Sequence, residues 1–158
     1  MGEAEIDFER RRALKAGGGL GVLGLLVAAG LIRPGMVSAA SERAAFEAKT
    51  LDEALSGLGV FTSENTPAIQ LTAPEVAENG AVVPVTVASM LTRTEQICIL
   101  ADKNPTTLVA NFHIPEGTEG FLTARIKMAQ TSSVIALVKA NGKFYRVSRE
   151  VKVTAGGC

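Results

Sequence analysis

The chain has no tryptophan, one tyrosine and one histidine, and its aromatic fraction is 4%. Rings this sparse supply neither a platform for sugars nor a surface on which bases stack. Its two cysteines, Cys98 and Cys158, are too few for a disulfide scaffold or for a structural zinc site on their own. His113 stands alone, with no nearby cluster of Asp, Glu or Cys, and one imidazole is weak support for a metal or a catalytic base. Net charge is missing too: 16 Lys+Arg balance 16 Asp+Glu, so the positive field used in nucleic-acid binding is absent. No nucleophile elbow, phosphate loop or metal-ligand spacing occurs, so neither metal nor cofactor is expected, and an enzyme acting by itself is not. What is present, 158 residues of which 47% are hydrophobic and 20% charged, has the size and composition of one globular domain.

The first 39 residues do not read as part of that domain. Arg10, Arg11 and Arg12 precede Ala13-Leu14-Lys15, and an uncharged run of Gly, Leu, Val and Ala extends from Ala16 to Ile32. This is the layout of a bacterial signal peptide, and Arg10-Arg11 fit the pair of a twin-arginine signal, with Leu14 and Lys15 at the expected offsets. Ala13 and Glu9 depart from the usual residues of that signal. The alternative is a membrane anchor, for which the run is barely long enough and its glycines unfavourable. Cleavage after Ala39 or Ala40, following Val37-Ser38, would leave about 118 residues in the periplasm with no stable membrane association. The twin-arginine route usually carries folded cargo, so a small domain without a cofactor motif points to a partner exported with it.

Ala44, Ala48, Leu51, Leu55 and Leu58 recur at helical spacing, which predicts one short amphipathic helix from Ala44 to Leu58, capped by Ser41 and ended by Gly57 or Gly59. After Pro67 the pattern becomes alternating. Strands are predicted at Ala68–Thr72, Ala81–Ser89, Thr94–Asp102, Leu108–Ile114, Phe121–Ala129, Val134–Ala140 and Lys143–Val153, separated by turn formers such as Glu78-Asn79-Gly80 and Lys103-Asn104-Pro105. Asn141-Gly142 is a two-residue hairpin signal. Pro84 places its strand at an edge or a bulge. The fold class is therefore all-β: an immunoglobulin-like sandwich over residues 40–153 with a short N-terminal helix.

The alternation stops at Val153, and Thr154-Ala155-Gly156-Gly157-Cys158 follows. Two glycines have no side chains to pack, so residues 154–158 are expected to form a flexible arm that packs against nothing. Extended, five residues reach roughly 16 to 18 Å, enough to carry a thiol into a narrow cleft of another protein. A free cysteine in an oxidising compartment dimerises or oxidises, so a bland terminal cysteine is less expected there than a functional one.

Several segments give the exported part of the chain a specific resemblance: Pro74-Glu75-Val76-Ala77-Glu78-Asn79-Gly80 before Val83-Pro84-Val85, then Lys103-Asn104-Pro105, Phe112-His113, and Val151-Lys152-Val153-Thr154 leading into Gly156-Gly157-Cys158. It resembles the SoxY family, the cysteine-bearing subunit of the SoxYZ carrier in bacterial sulfur oxidation. The resemblance implies a heterodimer with a SoxZ-like subunit and covalent attachment of thiosulfate-derived intermediates to Cys158. A haem-containing enzyme would couple the thiosulfate, a hydrolase would release sulfate, and a sulfane dehydrogenase would oxidise the remaining sulfur. Members of the family typically carry two more glycines after the cysteine. With the sequence stopping at Cys158, a carboxylate beside the thiol is expected to disfavour the thiolate.

The remaining candidates read more simply. Cys98, within Gln96-Ile97-Cys98-Ile99-Leu100, is expected to be a packed thiol, since free cysteine is among the most buried residue types. Glu75, Glu78, Glu116 and Glu119 fall at turns and read as solvated. Two further functions stay open: a periplasmic scaffold or adhesion sandwich with an incidental terminal cysteine, and a thiol enzyme using Cys158 with His113.

Overall fold

A computed structural model describes residues 42–157. The signal segment with Arg10 and Arg11, the expected cap Ser41, and Cys158 itself lie outside the described residues.

Among the described residues two helical segments come first, α1 at residues 42–47 and α2 at Leu51–Gly57. The single predicted helix is thus broken, and Thr50 is the reason. Its backbone is extended (φ −123°, ψ 156°), and its hydroxyl accepts the Glu53 N–H, starting a new helix at Leu51. Asp52 and Glu53 in the first turn of α2 add favourable charge at its positive end. The apolar spacing survives the break, because Ala45, Ala48 and Ala54 all end up buried on one side.

Nine strands follow: β1 (Glu64–Asn65), β2 (Ile69–Thr72), β3 (Val76–Ala77), β4 (Val83–Ser89), β5 (Thr94–Ala101), β6 (Leu108–His113), β7 (Phe121–Ile126), β8 (Ser132–Ala140) and β9 (Lys143–Val153). All seven predicted strands are present, most of them trimmed by a few residues at their ends. The two-residue strands β1 and β3 were not predicted, being too short to alternate. They pair in parallel with β9, Glu64 opposite Tyr145 and Val76 opposite Lys152, and so cover successive stretches of its outer edge.

The larger sheet runs β1-β9-β8-β5-β6, with β3 also on β9, and the smaller runs β2-β4-β7. Asn141 and Gly142 both take positive φ, 51° and 73°, which matches a tight turn to the twist of the β8–β9 hairpin as the sequence predicts. Pro84 pairs with Arg125 of β7, whereas β2 lies along β4 only from Thr86 to Ser89. Although β4 is central in its sheet, the stretch holding Pro84 has a neighbour on one side alone, the local edge a missing N–H requires.

The two sheets face each other across one core. Val83, Val85 and Val87 of β4 meet Ile97 and Ile99 of β5 and Val134, Ala136 and Val138 of β8, all buried. The opposite face of β5 and β8 carries Cys98, Leu100, Ile135 and Leu137, and the helical segment covers it with Ala45, Ala48, Ala54, Leu51 and Leu55. Being buried on both faces, these two strands read as nearly continuous apolar runs, Ile97–Ala101 and Val134–Val138. The result is an immunoglobulin-like sandwich with one outer face closed by helix.

Candidate functional site

The segment after β9 is expected to be free of contacts, and residues 154–157 instead lie against the body of the sandwich. The parallel pairing of β3 with β9 continues one residue further, the Thr154 N–H donating to Ala77 O (3.1 Å) and the Thr154 hydroxyl to Glu78 O (3.2 Å). Beyond it the chain is gripped by backbone alone. Gly80 N–H donates to Ala155 O (2.7 Å), and Gly157 N–H donates to Met128 O (3.1 Å). Met128 N–H in turn donates to Gly80 O (2.7 Å), so the Gly80 turn, the Met128 segment and the arm interlock.

Sequence reasoning assigned Gly156 and Gly157 to reach and slenderness, but their lack of side chains is also what lets this contact close. A Cβ on Gly157 would lie 2.0 Å from the Ala81 nitrogen, one on Gly156 would lie 2.4 Å from Ala129 O, and one on Gly80 would lie 2.3 Å from Met128 O. Each figure is well inside van der Waals contact, and each neighbour is rigid backbone.

Asn104 supports the other side of the contact. Its side-chain amide donates to Lys127 O (2.7 Å) and its oxygen accepts from Ala129 N–H (2.9 Å), fixing the two peptides that flank Met128. The Gln130 amide ties the same segment to Lys103 O (3.2 Å). Asn79 shapes the facing turn, its Oδ1 accepting from Ala81 N–H (2.8 Å). The sequence signalled turns at Glu78-Asn79-Gly80 and Lys103-Asn104-Pro105, but gave no sign that both turns support the chain terminus, because the contact joins segments far apart in sequence.

Cys98 is the opposite kind of thiol. It carries a free sulfhydryl with no solvent exposure, under the helical face of the larger sheet, and Sγ–H donates to Asn111 Oδ1 (3.3 Å). Burial first, and then the negative charge of Glu42, push the thiol up from 9.0 to about 12, with the Gln96 side chain pulling weakly the other way. At neutral pH it stays protonated and unreactive, the packed cysteine expected from its place in the strand.

His113 ends β6 opposite Gln96, and its Nε2 lies 2.9 Å from Glu42 Oε1, with the imidazole largely in solvent. Gln96 lies near the start of β5. The arm meets the sandwich beyond the other end of that strand, where Asn104 sits, about 16 Å along at strand rise. The structure therefore does not bring His113 together with residues 154–157. Glu75 is exposed and 3.6 Å from Arg149. Glu116 and Glu119 border an open groove with Met90, Arg93, Glu95 and Phe121, at the Ser89 end of β4, whereas the arm lies at its Val83 end. Among the described residues no group of three or more His, Cys, Asp or Glu is placed to hold a metal ion, and no helix is long and apolar enough to cross a membrane.

Comparison with known proteins places this geometry. The family model described as sulfur oxidation protein SoxY matches residues 57–158. Among solved structures, the sulfur carrier protein SoxY from Chlorobium limicola f thiosulfatophilum is 40% identical, with a TM-score of 0.59 over 65% of this chain and 94% of that one. A threonine-to-lysine variant of a superoxide reductase (neelaredoxin) from Ignicoccus hospitalis is 17% identical, with a TM-score of 0.49 over 66% of this chain and 92% of that one. A search of curated proteins returns no match. The match reaches from the end of α2 through the sandwich to the terminal cysteine, and on it the chain belongs to the SoxY family, as a sulfur carrier of sulfur oxidation and not an enzyme.

Proposed function

We propose that this chain is a periplasmic carrier whose attachment point is Cys158, loaded with thiosulfate-derived sulfur and presented on the arm of residues 154–158. The observation that carries the reading is the contrast between the two thiols. Cys98 is sealed into the fold and held protonated, whereas Cys158 follows two glycines in a segment whose hydrogen bonds beyond Thr154 run through backbone. In the loading step the thiol and thiosulfate form an S–S bond. The thiol proton is released and two electrons pass to the haem-containing partner, leaving a cysteine S-thiosulfonate. Water then cleaves the bond between sulfane sulfur and sulfone. Sulfate and two protons leave, and a persulfide anion remains on Cys158 for a sulfane dehydrogenase to oxidise. The carrier supplies the sulfur atom and the reach, and its partners supply the electron acceptor and the hydrolytic site.

A one-to-one complex with a SoxZ-like subunit belongs to the same reading. Phe61 is 93% exposed and Phe121 58%, apolar side chains a small domain leaves in solvent at a cost unless a second subunit covers them. Export through the twin-arginine route requires Arg10 and Arg11, and changing both to lysine should leave the precursor in the cytoplasm.

The test is an intact mass spectrum, taken without reductant, after incubation with thiosulfate and the coupling enzyme. The natural protein and Cys98→Ser should gain one thiosulfate adduct and Cys158→Ser none. An adduct on Cys158→Ser would overturn the assignment and leave a scaffold with an incidental cysteine as the better reading.

A further inference from the structure

The chain contains the dipeptide Asn-Gly twice, at Asn79-Gly80 and Asn141-Gly142, and both asparagines are exposed. This dipeptide can modify itself. The glycine peptide nitrogen attacks the side-chain carbonyl carbon of the asparagine and an N–C bond forms. The bond from that carbon to Nδ2 breaks, and ammonia leaves with the glycine proton. Water then opens the resulting succinimide to aspartate or isoaspartate, so the net change is one water consumed and one ammonia released. Structure sets the rate in three ways: by holding the carbonyl carbon near the nitrogen, by stabilising charge on the carbonyl oxygen, and by holding the glycine proton in place.

The two sites differ in all three. At the first, Asn79 Oδ1 accepts from Ala81 N–H (2.8 Å). The ring closed by that bond contains both the Asn79 carbonyl carbon and the Gly80 nitrogen, so the reacting atoms are folded toward each other. The Ala81 donor also sits where the attacked oxygen gathers negative charge. Among the described residues the Asn79 amide nitrogen donates to nothing, and Gly80 N–H is held by a neutral acceptor, Ala155 O (2.7 Å). At the second site, Asn141 Nδ2 donates to Thr92 O (2.9 Å) and Thr92 Oγ1 (3.3 Å), which anchors the side chain on the β4–β5 connection. Among the described residues no donor reaches Asn141 Oδ1. Gly142 N–H donates to the Glu95 carboxylate (3.0 Å), a charge-assisted bond, and the negative charge beside the nitrogen opposes loss of its proton.

We propose that Asn79 is a self-modifying residue that converts to aspartate and isoaspartate in the folded protein, and that Thr92 and Glu95 lock Asn141 against the same reaction. Isoaspartate routes the backbone through the side chain and adds a methylene between residues 79 and 80. At that turn Gly80 donates to Ala155 O and accepts from Met128 N–H, and a Cβ on Gly80 would lie 2.3 Å from Met128 O. A turn fitted this closely has no room for a longer backbone, so the product loses those bonds. The proposal does not depend on which residue carries the sulfur.

The experiment incubates the natural protein at mildly alkaline pH, folded and in urea, and follows both sites by peptide mapping that separates asparagine, aspartate and isoaspartate. The ratio of folded to urea rates at each site removes the contribution of neighbouring residues. That ratio should be at least about ten-fold larger for Asn79 than for Asn141, the effect of one to two hydrogen bonds. Equal ratios, or an Asn79 that stays intact in the folded protein while converting in urea, would overturn the assignment. Glu95→Ala should raise the folded-state rate at Asn141 about ten-fold and leave Asn79 unchanged. Glu95→Gln, which keeps an acceptor oxygen and loses only the charge, should raise it by less. No rise at Asn141 in either variant overturns the lock.

Discussion

The β5–β8 strand pair and the segment at residues 154–157 are held in opposite ways. In β5 and β8 almost every residue is buried, and side chains from the facing sheet and from the helices fill both surfaces. At residues 155–157 the hydrogen bonds run through peptide groups, and three glycines let the backbones meet. Interdigitated side chains resist even local displacement, because moving one leaves a void on each side of the sheet. A backbone contact without side chains has no such penalty. One thiol, Cys98, is thus immobilised by side chains on both faces of a sheet, whereas residues 155–157 are held through peptide groups.

Stability measurements should separate the two regions most strongly. Leu137→Ala removes a side chain with 1% exposure from the face of β8 under the helices and should cost about 2–5 kcal/mol in denaturant unfolding. Gly157→Val, which only expels the arm from its contact, should cost no more than about 0.5 kcal/mol on the same scale while slowing processing by the partner enzymes. Similar losses for the two variants would mean that the arm is part of the cooperative fold.

Alkaline pH tests the sealed thiol. Because Cys98 is held at about 12 in the folded protein against 9.0 when exposed, the folded state keeps its proton more tightly. The resulting stabilisation is complete below pH 9, where the thiol is protonated in both states, and is lost as pH rises toward 12. The loss amounts to at most about 4 kcal/mol. Replacing Cys98 by alanine should flatten that part of the stability profile in urea melts at pH 8 to 11. An unchanged slope would show that the thiol is not sealed.

A more modest effect concerns the helix that covers Cys98. Thr50→Ala removes the hydroxyl that accepts the Glu53 N–H at the start of α2 and should lower stability by about 1 kcal/mol. Restoration by Thr50→Ser, which keeps the oxygen, would assign the loss to the cap. A loss that serine does not restore would assign it to packing of the threonine methyl.

Much of this protein was legible in its sequence because the signals are local. Alternation over five or more residues marked every long strand, Asn141-Gly142 marked the hairpin, and Pro84 marked a stretch of strand with one open side. The terminal Gly-Gly-Cys marked the candidate site. The break at Thr50 was missed because a threonine within an apolar helical repeat reads as a helix residue until its hydroxyl is seen to cap. The strands β1 and β3 were missed because two residues cannot show a period, and their conformation comes from the exposed edge of β9.

By itself the sequence determined the sandwich class, the family resemblance and the identity of the two thiols, since periodicity, turn residues and terminal motifs are properties of neighbouring residues. The tertiary structure decided what Cys98 and the glycines have around them. Cys98 is sealed because the helices at residues 42–57 cover the middle of a sheet, and Gly80, Asn104, Met128 and Gly157 meet because the fold brings four distant segments to one end of the sandwich. Burial and close backbone approach depend on which segments become neighbours in space, and no local pattern encodes that choice.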